Sequence, residues 1–166
     1  MTTACSFFHI TRRKSVRMPT PSTVSVCLWY DDNAEAAARL YTSLIPNSAI
    51  TSVSPLMVTF VLDGMSFQAL NGGPHFTPNE AASIVVSTKD QAETDRLWHA
   101  LIADGGTPSQ CAWLKDRFGV SWQIVPQRLP ELMSSPDRQA ADRVFQAMLQ
   151  MTKIDIALLE ASFNGA

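Results

Sequence analysis

The chain has 166 residues, of which 46% are hydrophobic and 17% charged, and its 13 basic and 15 acidic side chains leave a formal net charge of −2. This is the size and make-up of about one globular domain with a single core. The charge balance excludes a whole-domain attraction to nucleic acid or to an anionic membrane, and no apolar run reaches the roughly 18 residues that span a bilayer, so neither is expected as a partner.

The first 30 residues hold no Asp or Glu, while Arg12, Arg13, Lys14 and Arg17 stand close together among serines and threonines. Residues 1–21 therefore read as a basic extension, either disordered or a targeting segment, with Met18 as an alternative start. The expected compartment is the cytoplasm, or an organelle matrix if the extension is a transit peptide. Cys5, Cys27 and Cys111 are an odd number without CxxC spacing, which suggests neither a disulfide framework nor a zinc knuckle. Cys27, inside an apolar run, is expected to be a buried small hydrophobe.

The run TVSVCLWY at 23–30 predicts a strand, and the segment 33–45 a helix ended by Pro46-Asn47. Strands follow at 49–53 and 56–62, then a tight Asp63-Gly64 turn and a strand at 65–71, before Asn71-Gly-Gly-Pro74 breaks regular structure. A second round has a strand at 82–87, a helix at 91–103 stopped by Gly105-Gly106, a strand near 108–114 and another at 120–126.

The two rounds are copies. GMSFQAL at 64–70 matches GVSWQIV at 119–125, and Arg39-Leu-Tyr-Thr-Ser-Leu-Ile45 matches Arg96-Leu-Trp-His-Ala-Leu-Ile102. Each helix follows an Asp-x-Ala-Glu stretch, Asp32 to Glu35 and Asp90 to Glu93, that reads as a capping box. One βαβββ module has a helix on one face of its sheet only, so its other face needs a cover. Two modules, at about 22–72 and 80–126, are therefore expected to form an α+β domain over residues 22–126, a cupped eight-stranded sheet with a ligand cavity. Strand alternation puts Ser66, Gln68 and Leu70 on the cup face with Ser121, Gln123 and Val125, and Phe67 and Trp122 on the helix face. Tyr30 is expected on the cup wall and Trp29 beneath the helix.

After Pro126 the pattern becomes helical. Ser135-Pro136 reads as the start of a helix to about Met151 with a stripe of Val144, Phe145, Met148, Leu149 and Met151, and Thr152 to Asp155 as a capping box before Ile156 to Phe163. Residues 127–166 are expected to brace the domain or to meet a dimer partner.

Three stretches carry a resemblance: Cys27-Leu-Trp-Tyr-Asp-Asp-Asn-Ala-Glu35 ahead of Leu44-Ile-Pro-Asn-Ser48, then Ala69-Leu-Asn-Gly-Gly-Pro-His-Phe76, then Trp113-Leu-Lys-Asp-Arg-Phe-Gly-Val-Ser-Trp-Gln-Ile-Val-Pro126. From about residue 22 onward the chain resembles the PhnB-like branch of the vicinal oxygen chelate (glyoxalase/bleomycin-resistance) superfamily, whose members often bear the name 3-demethylubiquinone-9 3-methyltransferase. The resemblance implies the paired βαβββ cup and a homodimer. It also implies that the places of the metal ligands in metal-using relatives fall on Val26, Gln68, Ser83 and Gln123. Valine donates no lone pair and the other three side chains are neutral, so this set does not suit a divalent transition metal. No cofactor is expected, because no glycine-rich strand-to-helix turn of the kind that holds a dinucleotide or an adenosyl group is present.

Gln68 and Gln123, with Ser83 and Tyr30, are the expected ligand-binding residues, offering amides and hydroxyls to a ligand carbonyl, hydroxyl or amide. His75, in a loop that can cap the cup, and Cys111 are the candidate catalytic groups; Lys115, Asp116 and Arg117 read as a solvated turn. The first expectation is a metal-independent protein that binds a small organic ligand in the cup. The alternatives are a transferase or isomerase working through the His75 loop or Cys111, and a non-catalytic dimeric interaction module. Whether the chain is an enzyme stays open at this point.

Overall fold

A computed structural model of the protein describes residues 23–166. The basic extension expected over residues 1–21, with Cys5 and His9, lies outside the described residues. The first module runs β1 (Val26–Tyr30), α1 (Ala34–Leu44), β2 (Ala49–Val53), β3 (Met57–Leu62) and β4 (Met65–Asn71). The second runs β5 (Ile84–Thr88), α2 (Gln91–Ile102), β6 (Thr107–Pro108), β7 (Trp113–Lys115) and β8 (Ser121–Pro126). The duplication is real in three dimensions. Each copy forms a four-stranded sheet, ordered β1-β4-β3-β2 and β5-β8-β7-β6, in which the first strand runs parallel to the last and the other pairs are antiparallel. The ladders end at β1 and β5, which are both edge strands.

The β3–β4 hairpin turns through Asp63 at φ 43° and Gly64 at φ 89°, the two positive angles that a two-residue turn needs to match the twist of its strands. The helix faces of both sheets share one core. Tyr41 of α1 meets Trp122 of β8 edge-on with ring centroids 4.9 Å apart, and Phe60 stacks on Phe67 at 5.2 Å.

The two helix starts differ. Asp90 accepts the Glu93 N–H at 2.8 Å while the Glu93 carboxylate accepts the Lys89 N–H at 2.9 Å, so the second capping box forms one residue wide of the ideal. The first does not form: Asn33 precedes α1 without a side-chain cap, Glu35 turns to Arg39, and the Ala34 N–H donates to Asn71 Oδ1 at 2.9 Å. The end of β4 therefore caps α1.

The strand expected near 108–114 is broken between β6 and β7, where Cys111 and Ala112 take φ of 55° and 74°. Two successive left-handed residues aim their N–H groups the same way, and these donate to Met151 O at 2.8 Å and Thr152 O at 2.9 Å. They hold the C-terminal segment, which comprises α3 (Arg128–Met133), α4 (Arg138–Met148) and α5 (Ile156–Asn164). The helix α3 was not foreseen from the sequence. The cap of α4 is Asp137, not Ser135, and that of α5 is Asp155, not Thr152, each accepting the N–H three residues on. Leu129, Leu132, Val144, Ile154 and Leu159 make a second small core against Val125 of β8. The Gln91 amide clamps the junction, donating to Ile154 O at 3.1 Å and accepting from Ile156 N at 2.9 Å.

Candidate functional site

In β4 and β8 the alternation falls as expected: Phe67, Ala69, Trp122 and Ile124 are buried, and Gln68 and Gln123 face the other way. In β1 the expected order is reversed. Tyr30 is only 3% exposed, and its hydroxyl donates to the Tyr41 hydroxyl at 3.3 Å inside the core, so it offers nothing to a ligand wall. Trp29 takes the opposite face, donating from Nε1 to Gly73 O at 2.8 Å and meeting Phe76 edge-on at 4.9 Å. Cys27, expected to be buried, shares that face and is exposed.

The cause is one residue. Tyr30 and Thr88, which end β1 and β5, are 58 apart, whereas Ala34 and Gln91, which begin α1 and α2, are 57 apart, because the first strand-to-helix junction has one residue more than the second. A slip of one residue turns every side chain of a strand to its other face. Hence the counterpart of Ser83 is Ser25, and the site assigned to Val26 is corrected to Ser25. Gln68 Nε2 donates to Ser25 Oγ at 3.0 Å and Gln123 Nε2 donates to Ser83 Oγ at 2.9 Å, the same bond made once in each copy. Two serines and two glutamines bonded in pairs are a neutral donor set that does not fit a divalent transition metal. Among the described residues no three His, Cys, Asp or Glu side chains gather where they could hold a metal ion.

Between the free edges of β1 and β5 lies a cavity of about 510 Å3. Its wall is mainly apolar, with Trp29, Phe67, Phe76 and Ile84 on it, and Ser83 and Ser121 supply hydroxyls. The segment 76–79 closes one side, and Gln68 and Gln123 do not line it. Gly72 is required here, because a Cβ on it would lie 2.2 Å from the Trp29 ring. Ser121 is 1% exposed and its Oγ has no hydrogen-bond partner among the described residues. The sequence reading placed Ser121 on the face of Gln123, and that parity was the signal for it.

Asp116 corrects the expectation of a solvated turn. It is 3% exposed, and its carboxylate accepts from Tyr41 OH at 2.7 Å, Trp122 Nε1 at 2.9 Å, Phe118 N at 2.9 Å and Val120 N at 3.1 Å. Burial raises its pKa, with these donors opposing in part, and burial likewise raises both Tyr30 and Tyr41, which stay neutral. Because Tyr41 belongs to α1 and Asp116 to the β7–β8 turn, the carboxylate locks one module to the other. This is structural work, away from the cavity. His75 is exposed and stands off the cavity wall, and Cys111 faces the C-terminal helices with its thiol 3.7 Å from Met148 O, so neither candidate catalytic group reaches the cavity.

A family model described as 3-demethylubiquinone-9 3-methyltransferase matches residues 22–125. Among solved structures, one described as a putative 3-demethylubiquinone-9 3-methyltransferase, PhnB protein, from Bacillus cereus is 28% identical, with a TM-score of 0.59 over 63% of this chain and 99% of that one. A protein from Pseudomonas aeruginosa is 20% identical, with a TM-score of 0.52 over 64% of this chain and 98% of that one. A glyoxalase/bleomycin resistance protein from Albidiferax ferrireducens is 18% identical, with a TM-score of 0.46 over 61% and 96% of the two chains. No curated protein matches the chain.

Proposed function

Because the chain belongs to the 3-demethylubiquinone-9 3-methyltransferase family, the PhnB-like branch of the vicinal oxygen chelate superfamily, we propose that it binds a small, largely apolar organic ligand without a metal. The ligand lies between β1 and β5. The observation that carries this reading is the cavity of about 510 Å3 with the Trp29–Phe76 pair in its wall. Concave, mostly apolar pockets of some 300–1,000 Å3 with few polar groups are where small molecules bind. Gln68 and Gln123, each engaged by a serine, stand outside the lining, and Gln123 holds the Ser83 hydroxyl that belongs to it.

The family's description implies a methyl donor. The two strand-to-helix junctions, residues 31–33 and 89–90, contain acids and no glycine, so the residues present do not fit the close backbone approach of an adenosyl group. A transferase or isomerase working through His75 or Cys111 lacks a partner group: His75 stands on an exposed loop and the Cys111 thiol is turned to a helix carbonyl.

Native mass spectrometry of the purified protein, searching for co-purified compounds, tests the reading. A bound apolar compound is expected, and Trp29→Ala should weaken its binding at least tenfold by removing an aromatic wall, on the order of 1.4 kcal/mol or more. Unchanged affinity in Trp29→Ala and Phe76→Ala would put the ligand elsewhere and end the proposal.

A further inference from the structure

Ser121 lies between two cavities. It lines the one flanked by β1 and β5, and also a second of about 490 Å3 bounded by Glu80, Trp113 and Lys115. Lys115 and Ser121 are directly paired across β7 and β8, so their side chains stand side by side on the same face as Gln123. Within this face the Ser121 hydroxyl is buried and unpartnered among the described residues, an uncommon state for a polar atom and one that a bound molecule relieves.

The Lys115 ammonium does have a partner, and its origin is informative. Glu80 Oε1 sits 2.6 Å from Lys115 Nζ, on the irregular segment between β4 and β5 that also closes the first cavity through Phe76 and Pro78. The Glu80 side chain is 64% exposed and that of Lys115 only 35%. A half-buried cation is therefore satisfied by a carboxylate carried on an exposed loop. Such a surface pair contributes little to stability and is readily exchanged for another anion.

Resting on the reading that the cavity between β1 and β5 takes a ligand, we propose that this ligand is an amphipathic anion. Its carboxylate or sulfonate takes the place of Glu80 on Lys115 and accepts from the Ser121 hydroxyl, while its apolar body lies against Trp29 and Phe76. Glu80 holds the seat when no ligand is bound. Lys115 and Ser121 give the specificity for charge and the aromatic wall gives the affinity for carbon, which are separable contributions.

Two dyes with the same ring system separate them: 8-anilinonaphthalene-1-sulfonate carries the anion and N-phenyl-1-naphthylamine does not. By fluorescence titration the sulfonate is expected to bind the wild type roughly tenfold tighter than the neutral dye, the scale of one charge-assisted contact. Lys115→Met should erase that preference, and Ser121→Ala should reduce it. Glu80→Gln, on an exposed loop where folding is not at stake, should strengthen sulfonate binding several-fold and leave the neutral dye unchanged. Equal binding of the two dyes, or a preference unmoved by Lys115→Met and Glu80→Gln, would overturn the inference while leaving the cavity reading intact. If neither dye binds, or Trp29→Ala does not weaken the neutral dye, the cavity reading fails and takes this inference with it.

Discussion

The Asp116 carboxylate is a buried polar link between the modules, and Asp116→Asn measures it with little change of volume. The amide oxygen can keep the two backbone N–H groups of Phe118 and Val120. Its NH2 then stands where Oδ2 stood, facing Tyr41 OH and Trp122 Nε1. The tyrosine hydroxyl can turn and accept, but an indole N–H only donates, so Trp122 is left without an acceptor in the core. One orphaned buried donor costs about 1–3 kcal/mol, which for a chain of this length, at about 2–4 °C per kcal/mol, lowers Tm by roughly 2–12 °C. The pH dependence has a definite sign. Burial raises the Asp116 pKa above its ordinary value, so as pH rises through the window between the two the unfolded chain gives up its proton first and stability falls. The asparagine variant lacks that fall. The wild-type advantage should thus be greatest below the ordinary carboxylate pKa of about 3.9, shrink as pH climbs to the raised value, and stay level above it. Urea unfolding of both proteins across this range measures the difference directly. An advantage that grows with pH would mean that the four donors outweigh burial, and would refute the reasoning.

Three further outcomes follow from the same geometry. Gly72→Ala drives a methyl into the Trp29 ring, so it should cost about 1–3 kcal/mol in denaturant melts and abolish binding of the neutral naphthylamine dye; retention of both would show that the indole is not fixed in the wall. Ile154→Ala empties the centre of the second core and should cost about 2–5 kcal/mol, with early loss of hydrogen-exchange protection in α4 and α5. Zinc or nickel at about 100 μM should leave Tm unchanged, since a site whose Kd lay a hundredfold below that concentration would raise stability by about 2.7 kcal/mol.

The sequence made the duplication plain, because the repeated strand and helix carry the apolar faces that pack, and packing tolerates few changes of pattern. The bounds of β2, β3 and β4 fall within a residue of those expected. The side-chain directions of β1 were written in the sequence and set aside. TVSVCLWY alternates Thr23, Ser25, Cys27 and Trp29 with Val24, Val26, Leu28 and Tyr30, the set that holds the buried Tyr30, but the 57-residue spacing of the helices was carried onto the strands, where the extra residue before α1 makes it 58. Asp116 was misread for a different reason: a carboxylate between a lysine and an arginine has the look of a turn, and its partner Tyr41 is 75 positions away in the chain. Helix α3 was missed because Pro130 lies inside it, in the first turn, where a proline is tolerated. The cavity wall was half legible, with Ser83 and Ser121 on the expected face, while Trp29 was put on the wrong one and the paired glutamines, on the face of those serines, lie outside the lining.

The mooring of residues 151 and 152 is made by the amides of Cys111 and Ala112 and not by their side chains. Selection can therefore rewrite position 111 among residues that accept left-handed backbone, with glycine, asparagine and aspartate the most comfortable, and the terminal helices stay tethered, while position 112, buried in the second core, is held to a small side chain. Proline at either place would unhitch them, since it has no hydrogen to give. Among kindred chains, identity in this loop says little about whether the tail is fastened; the absence of proline says more.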